Sequence, residues 1–231
     1  MRKWQNATEN RAPTAKRHDE SKKTECFFCF CRSFPLYLPE ENNVCKSEAM
    51  KRVFLIGYMG AGKSTLGKAL AQAMELTFVD LDHFIEEKYH KTVRDIFAEV
   101  GEEGFRQRER DALVEASQFE NVVISLGGGT PCFFDNMEIV RQGGVSVYLK
   151  PTEDVLLRRL IKGKHKRPII ANKTDEELLA FIRENLAQRE PYYTRAHITF
   201  ESDHLENKAE IIGKAERLAA ICQEKFDQIF N

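Results

Sequence analysis

Short apolar runs alternate with longer segments of helical periodicity from about residue 50 onward. Val53 to Ile56 is a continuous apolar run that ends at a glycine, which is typical of a strand buried on both faces. Four more short runs predict further strands, at 77–81, 122–126, 146–149 and 197–200. Helical spacing predicts helices between them, at 65–74, from after Thr152 to about 162 and at 175–188, with helical stretches over roughly 83–117. A last helix has apolar residues at 211, 215, 218, 222 and 226.

This alternation predicts the fold class. Strands that alternate with helices favour an α/β fold of three layers, in which helices flank a five-stranded parallel sheet on both faces. Thr174 and Glu177 form a capping box for one helix, and Pro191 is interpreted as its stop signal. Ligands bind such sheets beyond the carboxyl ends of the strands, where the motifs described below lie.

Residues 1–49 differ from the rest, and we treat them as an N-terminal extension to a single domain at 50–231. They are polar until the cluster CFFCFCRSFPLYLPEENNVC. One interpretation is a disordered leader; we favour a second, a translation start at Met50, because MKRVFLIG is a natural opening for a first strand. A zinc site at Cys26-x-x-Cys29 lacks a second ligand pair at the usual spacing.

Charge and hydropathy indicate which kinds of partner and which compartment the protein does not suit. The chain has 35 Lys and Arg against 36 Asp and Glu, so its bulk charge does not indicate nucleic-acid binding. No apolar run reaches the roughly 18 residues of a membrane span, and the polar first 25 residues do not resemble a signal peptide. Cys132 and Cys222 are isolated, which agrees with a reducing compartment. We therefore expect a cytoplasmic monomer.

The loop after the first strand carries the strongest chemical signal. Gly57 to Ser64, GYMGAGKS, matches the phosphate-loop pattern G-x-x-x-x-G-K-[ST] between a predicted strand and a predicted helix. Glycines let backbone N–H groups turn inward around phosphate oxygens, Lys63 would reach the β- and γ-phosphates, and Ser64 would offer a hydroxyl to Mg²⁺. The alternative is a chance glycine turn with a surface lysine.

Two acidic residues and a glycine run end the next strands. One carboxylate of Asp80 and Asp82 could hold Mg²⁺ while the other accepts a hydroxyl proton; alternatively, Asp82 is only a helix N-cap. Gly127–Gly129 would let a ligand approach the backbone closely, or form a plain turn.

Two arginines and a basic segment each have a functional and a purely structural interpretation. Arg106 could bind an anionic group, or pair with Glu109 on a solvent-exposed helix face. The basic residues at 162–168 suit either a mobile lid for phosphoryl transfer or a solvated loop. Arg189 could be a second anion clamp or a favourable charge at a helix end.

Taken in order, these motifs resemble the shikimate kinase family of P-loop kinases over essentially all of 50–231. The set is GYMGAGKST, DLD, FRQRE, SLGGG, a basic lid with Arg-Pro, and REPYY. The resemblance implies transfer of the γ-phosphoryl group of ATP to the 3-hydroxyl of shikimate. It implies that ATP is bound by Gly57, Gly60, Ala61, Gly62, Lys63, Ser64, Thr65 and Arg167, with Mg²⁺ at Ser64 and Asp80.

The same resemblance implies the substrate contacts. Asp82 would act as the base, with Lys63 and Arg167 as the other catalytic groups. Shikimate would be bound by Asp82, Arg106, Arg189, Gly127, Gly128 and Gly129, against an apolar wall of Phe97 and Phe105. One of Arg158 and Arg159 would pack on adenine, and the sequence leaves open which. The alternatives are a gluconate or nucleotide kinase of the same fold, or a binding protein without catalysis.

Overall fold

Five parallel strands form one sheet in the computed structural model, which describes residues 50–164 and 168–230. The strands are β1 (Arg52–Ile56), β2 (Thr77–Asp80), β3 (Val122–Ser125), β4 (Val145–Lys150) and β5 (Ile198–Glu201), in the order β2-β3-β1-β4-β5. The register places Ser125 of β3 beside both Leu55 of β1 and Asp80 of β2. The loops that follow these three strands therefore begin at the same edge of the sheet.

Helices cover both faces of the sheet. They are α1 (Lys63–Ala73), α2 (Leu81–Tyr89), α3 (Val93–Ala116), α4 (Asn136–Gly143), α5 (Glu153–Lys162), α6 (Asp175–Tyr193) and α7 (Lys208–Phe230), with 3₁₀ turns at Thr130–Cys132 and Pro168–Ile170. Val53 and Leu55 pack with α1 and α7, whereas Phe54 and Ile56 pack with α2, α3 and α4. Successive strand residues face opposite sides, so this division confirms the predicted three layers.

One predicted helix end was wrong. Pro191 does not end its helix, because α6 continues to Tyr193. A proline at this point removes one backbone hydrogen bond, but Tyr193 is fully buried and its hydroxyl donates to the Gly128 carbonyl, which stabilises the last turn. The helical stretches predicted at roughly 83–117 are the two helices α2 and α3, which are separated because His90 takes a left-handed conformation and Thr92 caps α3 by accepting from the Asp95 N–H.

Some predictions from the sequence concern residues that the structure does not describe. Residues 1–49 and Arg167 lie outside the described residues. The predicted leader, the zinc site and the centre of the predicted lid fall within those parts of the chain. Within 50–164 and 168–230, no helix has both the length and the hydropathy that crossing a bilayer requires.

Candidate active site

The phosphate loop adopts a conformation that only its glycines permit. Gly57, Gly60 and Gly62 have φ angles of +142°, +82° and +94°, a region that other residues avoid. A Cβ at Gly57 would also lie 2.7 Å from the carbonyl oxygen of Leu149. Lys63 Nζ donates to the carbonyls of Gly57 at 2.9 Å and Tyr58 at 3.1 Å. The loop therefore holds a cationic side chain against a turn of backbone at the start of α1.

Ser64 and Asp80 lie side by side at the edge of this loop. Ser64 Oγ donates to Asp80 Oδ2 at 2.8 Å, and Asp80 Oδ1 accepts from the Asp82 N–H at 3.2 Å. Asp80 is thus the N-cap of α2, and the interpretation of Asp82 as that cap was wrong. The described residues contain no cluster of three or more His, Cys, Asp or Glu side chains for a metal. A hydroxyl beside one carboxylate still suits Mg²⁺, which takes most of its ligands from phosphates and water.

Asp82 lies in the first turn of α2 with an altered acidity. Burial among protein atoms raises its pKa to about 6, and the negative charges of Asp80 and Glu109 act in the same direction. The residue is nevertheless exposed towards the cleft, where solvent reduces the shift. A carboxylate with a raised pKa is a stronger base than an ordinary aspartate, which suits proton acceptance from a hydroxyl.

The three glycines after β3 border three different functional groups. A Cβ at Gly127 would lie 3.0 Å from Asp82 Oδ1, and one at Gly129 would lie 3.1 Å from Arg106 Nη1. A Cβ at Gly128 would lie 3.5 Å from Arg189 Nη1 and 3.4 Å from the backbone of the phosphate loop. The glycines therefore bring Asp82, Arg106 and Arg189 around one short segment beside the phosphate loop.

Arg106 is held by two glutamates of its own helix. Its Nη1 donates to Glu109 Oε2 at 2.9 Å, and its Nη2 donates to Glu102 Oε1 at 3.4 Å. Glu109 is 1% exposed, and its other oxygen accepts from Thr130 Oγ1 at 2.6 Å. The Arg106–Glu109 pair predicted from the spacing exists, but it lies in the interior rather than on a solvent-exposed face.

Phe97 and Phe105 form a stacked pair next to Arg106. Their ring centroids are 4.1 Å apart, although eight residues separate them in the sequence. Along a straight helix that separation corresponds to about 12 Å, so direct stacking needs a bend. Gly101 supplies it, because its φ of +71° kinks α3 between the two residues. The kink was not predicted from the sequence.

Arg189 projects from α6 towards the phosphate loop. Its guanidinium carbon lies 5.5 Å from the centroid of the Tyr58 ring, within the range of a cation–π contact. Burial raises the pKa of Tyr58 to about 12, with Arg189 opposing the shift. The hydrogen bond from Tyr193 to the Gly128 carbonyl ties the end of the same helix to the central glycine.

A cavity of about 570 Å³ joins the phosphate loop to the ends of β2 and β3. Its lining includes Lys63, Ser64, Thr65, Asp80, Asp82, Gly127, Gly128 and Arg159. Arg106 and Arg189 are not in this lining and adjoin the cavity through Gly129 and Gly128. Arg159 donates to the Gly60 carbonyl at 3.4 Å and the Ser202 carbonyl at 3.0 Å, whereas Arg158 is exposed.

Two residues that contribute to this site, Glu109 and Thr130, were not predicted from the sequence. Glu109 was treated only as a surface partner of Arg106, and Thr130 was not considered. The spacing of Arg106 and Glu109 was a usable signal, but the sequence contains no sign that Thr130 would bond to the same carboxylate.

The comparisons with known proteins agree with the order of the motifs. The family model described as shikimate kinase matches residues 59–221. A shikimate kinase of Phocaeicola vulgatus is 55% identical over 169 residues, which cover 73% of this chain and 97% of that protein.

Two solved structures extend the comparison. The chain is similar to a shikimate kinase from Bacteroides thetaiotaomicron, with 51% identity and a TM-score of 0.73, over 76% of this chain and 99% of that one. It is also similar to a shikimate kinase from Acinetobacter baumannii in complex with shikimate, with 35% identity and a TM-score of 0.64, over 80% and 97% of the two chains.

Proposed function

The chain belongs to the shikimate kinase family, and we propose that it transfers the γ-phosphoryl group of ATP to the 3-hydroxyl of shikimate. The observation that carries this proposal is the convergence at Gly127–Gly129. A carboxylate of raised pKa and two guanidinium groups adjoin these glycines, next to the phosphate loop. A small carboxylated alcohol bound there would present a hydroxyl between the base and the phosphate donor.

Each group has a distinct role in this proposal. Arg106 and Arg189 would bind the acceptor carboxylate, because guanidinium groups pair with carboxylates through parallel hydrogen bonds. Asp82 would orient the hydroxyl and accept its proton. The stacked Phe97 and Phe105 would form an apolar wall beside Arg106.

The nucleotide would lie along the phosphate loop. We assign ATP contacts to the predicted residues Gly57, Gly60, Ala61, Gly62, Lys63, Ser64 and Thr65. Ser64 and Asp80 would hold Mg²⁺, which neutralises charge on the transferring phosphates. Arg159 is supported as the arginine that packs on adenine, since it lines the cavity and bonds to the loop at Gly60. Arg167 stays a proposal from the sequence as the lid residue that reaches the phosphates.

A panel of acceptors tests the function. We expect ATP-dependent phosphorylation of shikimate, with gluconate and nucleoside monophosphates as poor substrates. Preference for gluconate or a nucleotide would reject the proposal, and absence of any transfer would favour a binding protein.

Substitution of the arginines tests the site. Arg106→Ala and Arg189→Ala should each weaken shikimate binding by roughly 10- to 100-fold in calorimetric titrations, since each loses a charged hydrogen-bonding partner worth about 1.5–3 kcal/mol. ATP affinity should not change. Arg183→Ala is a matched control on α6, because Arg183 pairs with Glu153 and its side chain is 61% exposed. Native shikimate affinity in either clamp variant would contradict the assignment.

We further propose that the protein acts as a monomer in the cytoplasm. All the residues assigned above belong to one chain, and Cys132 and Cys222 are free thiols, as a reducing compartment favours. Sedimentation of the purified protein would test the first statement, and fractionation of its native host would test the second.

A further inference from the structure

The segment that follows the three glycines places an aromatic ring over Arg106. The guanidinium carbon lies 4.0 Å from the centroid of the Phe133 ring, compared with 5.4 Å for Phe105 and 5.9 Å for Phe97. We propose that Phe133 is a positioning residue, whose ring holds the Arg106 guanidinium in the plane that receives the acceptor carboxylate. The inference rests on the proposed function.

The hydrogen bonds of Arg106 leave its orientation incompletely defined. Nη1 and Nη2 donate to Glu109 and Glu102, the second at 3.4 Å to a side chain that is 67% exposed. Nε is buried and has no hydrogen-bond partner among the described residues. One strong bond to Glu109 would still allow the guanidinium plane to tilt. A ring that lies over one face opposes that tilt without covering the N–H edge that would meet an anion.

The backbone around Phe133 is anchored on both sides. Before it, Thr130 Oγ1 donates to Glu109, and the Asn136 side chain donates to the Thr130 carbonyl at 2.8 Å. After it, Arg110 makes two hydrogen bonds to Asp135, at 2.9 and 3.0 Å. Phe134 between them has a φ of +49°, which is strained for a bulky residue and persists only where the surroundings hold it.

These anchors connect the ring to the same carboxylate that holds Arg106. Glu109 bonds to the arginine with one oxygen and to the segment carrying Phe133 with the other. The arginine and its aromatic cover are therefore fixed relative to one buried group. The ring also keeps water from one face of the guanidinium, and charge interactions with a bound carboxylate are stronger where water is excluded.

Steady-state kinetics of Phe133→Ala test the inference. A desolvated cation–π contact is worth about 1–2 kcal/mol; when the ring is absent, binding of the carboxylate must supply this orienting energy, so the KM for shikimate should rise by up to about 5- to 30-fold. The kcat and the KM for ATP should change less than about threefold, because the ring contacts neither the base nor the phosphate loop in the proposed arrangement. Phe134→Ala is the matched control: Phe134 is the next residue and is 57% exposed, so its KM for shikimate should stay near that of the parent.

A shikimate analogue whose carboxylate is replaced by a hydroxymethyl group separates positioning from general damage. If Phe133 acts through Arg106 and the carboxylate, Phe133→Ala should have little effect on kcat/KM for this neutral analogue. An equal loss with both acceptors, or an unchanged KM for shikimate, would overturn the inference. If Phe133→Ala fails to fold, Phe133→Leu keeps an apolar cover without the aromatic face, and its KM must rise with shikimate alone.

Assays of the parent protein separate failure of the proposed function from failure of the role proposed for Phe133. Failure of the parent to phosphorylate shikimate would reject the proposed function. Normal phosphorylation by the parent together with a native KM in both Phe133 variants would reject only the role of Phe133.

Discussion

Glu109 and Glu102 allow the importance of burial to be measured on one arginine. Both carboxylates accept from Arg106, but the Glu109 side chain is 2% exposed and the Glu102 side chain is 67% exposed. Glu109 also accepts from Thr130 with its second oxygen. In Glu109→Gln the amide oxygen can still accept from Arg106 and the NH₂ group can donate to the Thr130 hydroxyl, which accepts as well as donates, so the loss is the negative charge that pairs with the Arg106 guanidinium. The same substitution at Glu102 leaves its neighbours in contact with water.

The expected loss of stability is larger for Glu109→Gln than for Glu102→Gln. Breaking a buried ion pair costs about 3–5 kcal/mol, and we take the lower end, about 3 kcal/mol, because Arg106 keeps Glu102 as a partner. An exposed pair contributes about 0–1 kcal/mol. For a domain of this size, 1 kcal/mol shifts the Tm by about 2–4 °C. Glu109→Gln should therefore lower the Tm by roughly 6–12 °C, and Glu102→Gln by about 4 °C at most.

Thermal unfolding of the free protein at neutral pH, with urea unfolding to obtain the free energy directly, measures both variants. The comparison uses the same substitution and the same partner, so differences in helix propensity or in total charge largely cancel. Equal Tm values for the two variants would refute the reasoning, because the buried position of Glu109 would then have no energetic consequence.

The remaining predictions concern Asp82 and Gly127, which line the cleft. Asp82→Asn should reduce turnover by at least about 100-fold while ATP affinity is retained in calorimetric titrations, and unchanged turnover would remove its role as base. In the parent, kcat/KM for shikimate should rise with pH through about 6, as Asp82 ionises and becomes able to accept a proton. Because folding raises the pKa of Asp82, the free energy of unfolding should fall as pH increases from 3.8 through about 6. Asp82→Asn removes this cost and should therefore raise the Tm at neutral pH. Gly127→Ala would place a methyl group 2.9–3.1 Å from oxygens of Thr130, Asp82 and Glu109, which should cost about 1–3 kcal/mol and at least about tenfold in kcat/KM. Gly213→Ala in α7 is the control, because a Cβ at this position meets nothing within 4 Å. Alanine favours the helix over glycine, so this variant should gain up to about 1 kcal/mol in the free energy of unfolding. Equal changes in the two alanine variants would contradict the packing argument.

The sequence alone was sufficient for features that depend on neighbouring residues. The phosphate loop is eight consecutive residues whose glycines, lysine and serine have local reasons for their order, and it was predicted in full. The three central strands were recognised because a strand buried on both faces needs a continuous apolar run, as Val53 to Ile56 shows. The edge strands β2 and β5 are only partly buried and were recognised as short apolar runs. Parallel strands bring their carboxyl ends to one edge, so the approximate grouping of Asp80, Asp82 and the three glycines also followed.

The tertiary structure decided what depends on residues far apart in the chain. Glu109 became a buried bridge only because Thr130 packs against α3, and Phe133 lies on Arg106 although 27 positions separate them. Pro191 remained within its helix because the buried Tyr193 stabilises the final turn. Periodicity in the sequence indicates which face of a helix or strand is apolar, but it does not indicate which element packs against that face. Burial, and with it the strength of each charge interaction, is therefore set only when the helices pack on the sheet.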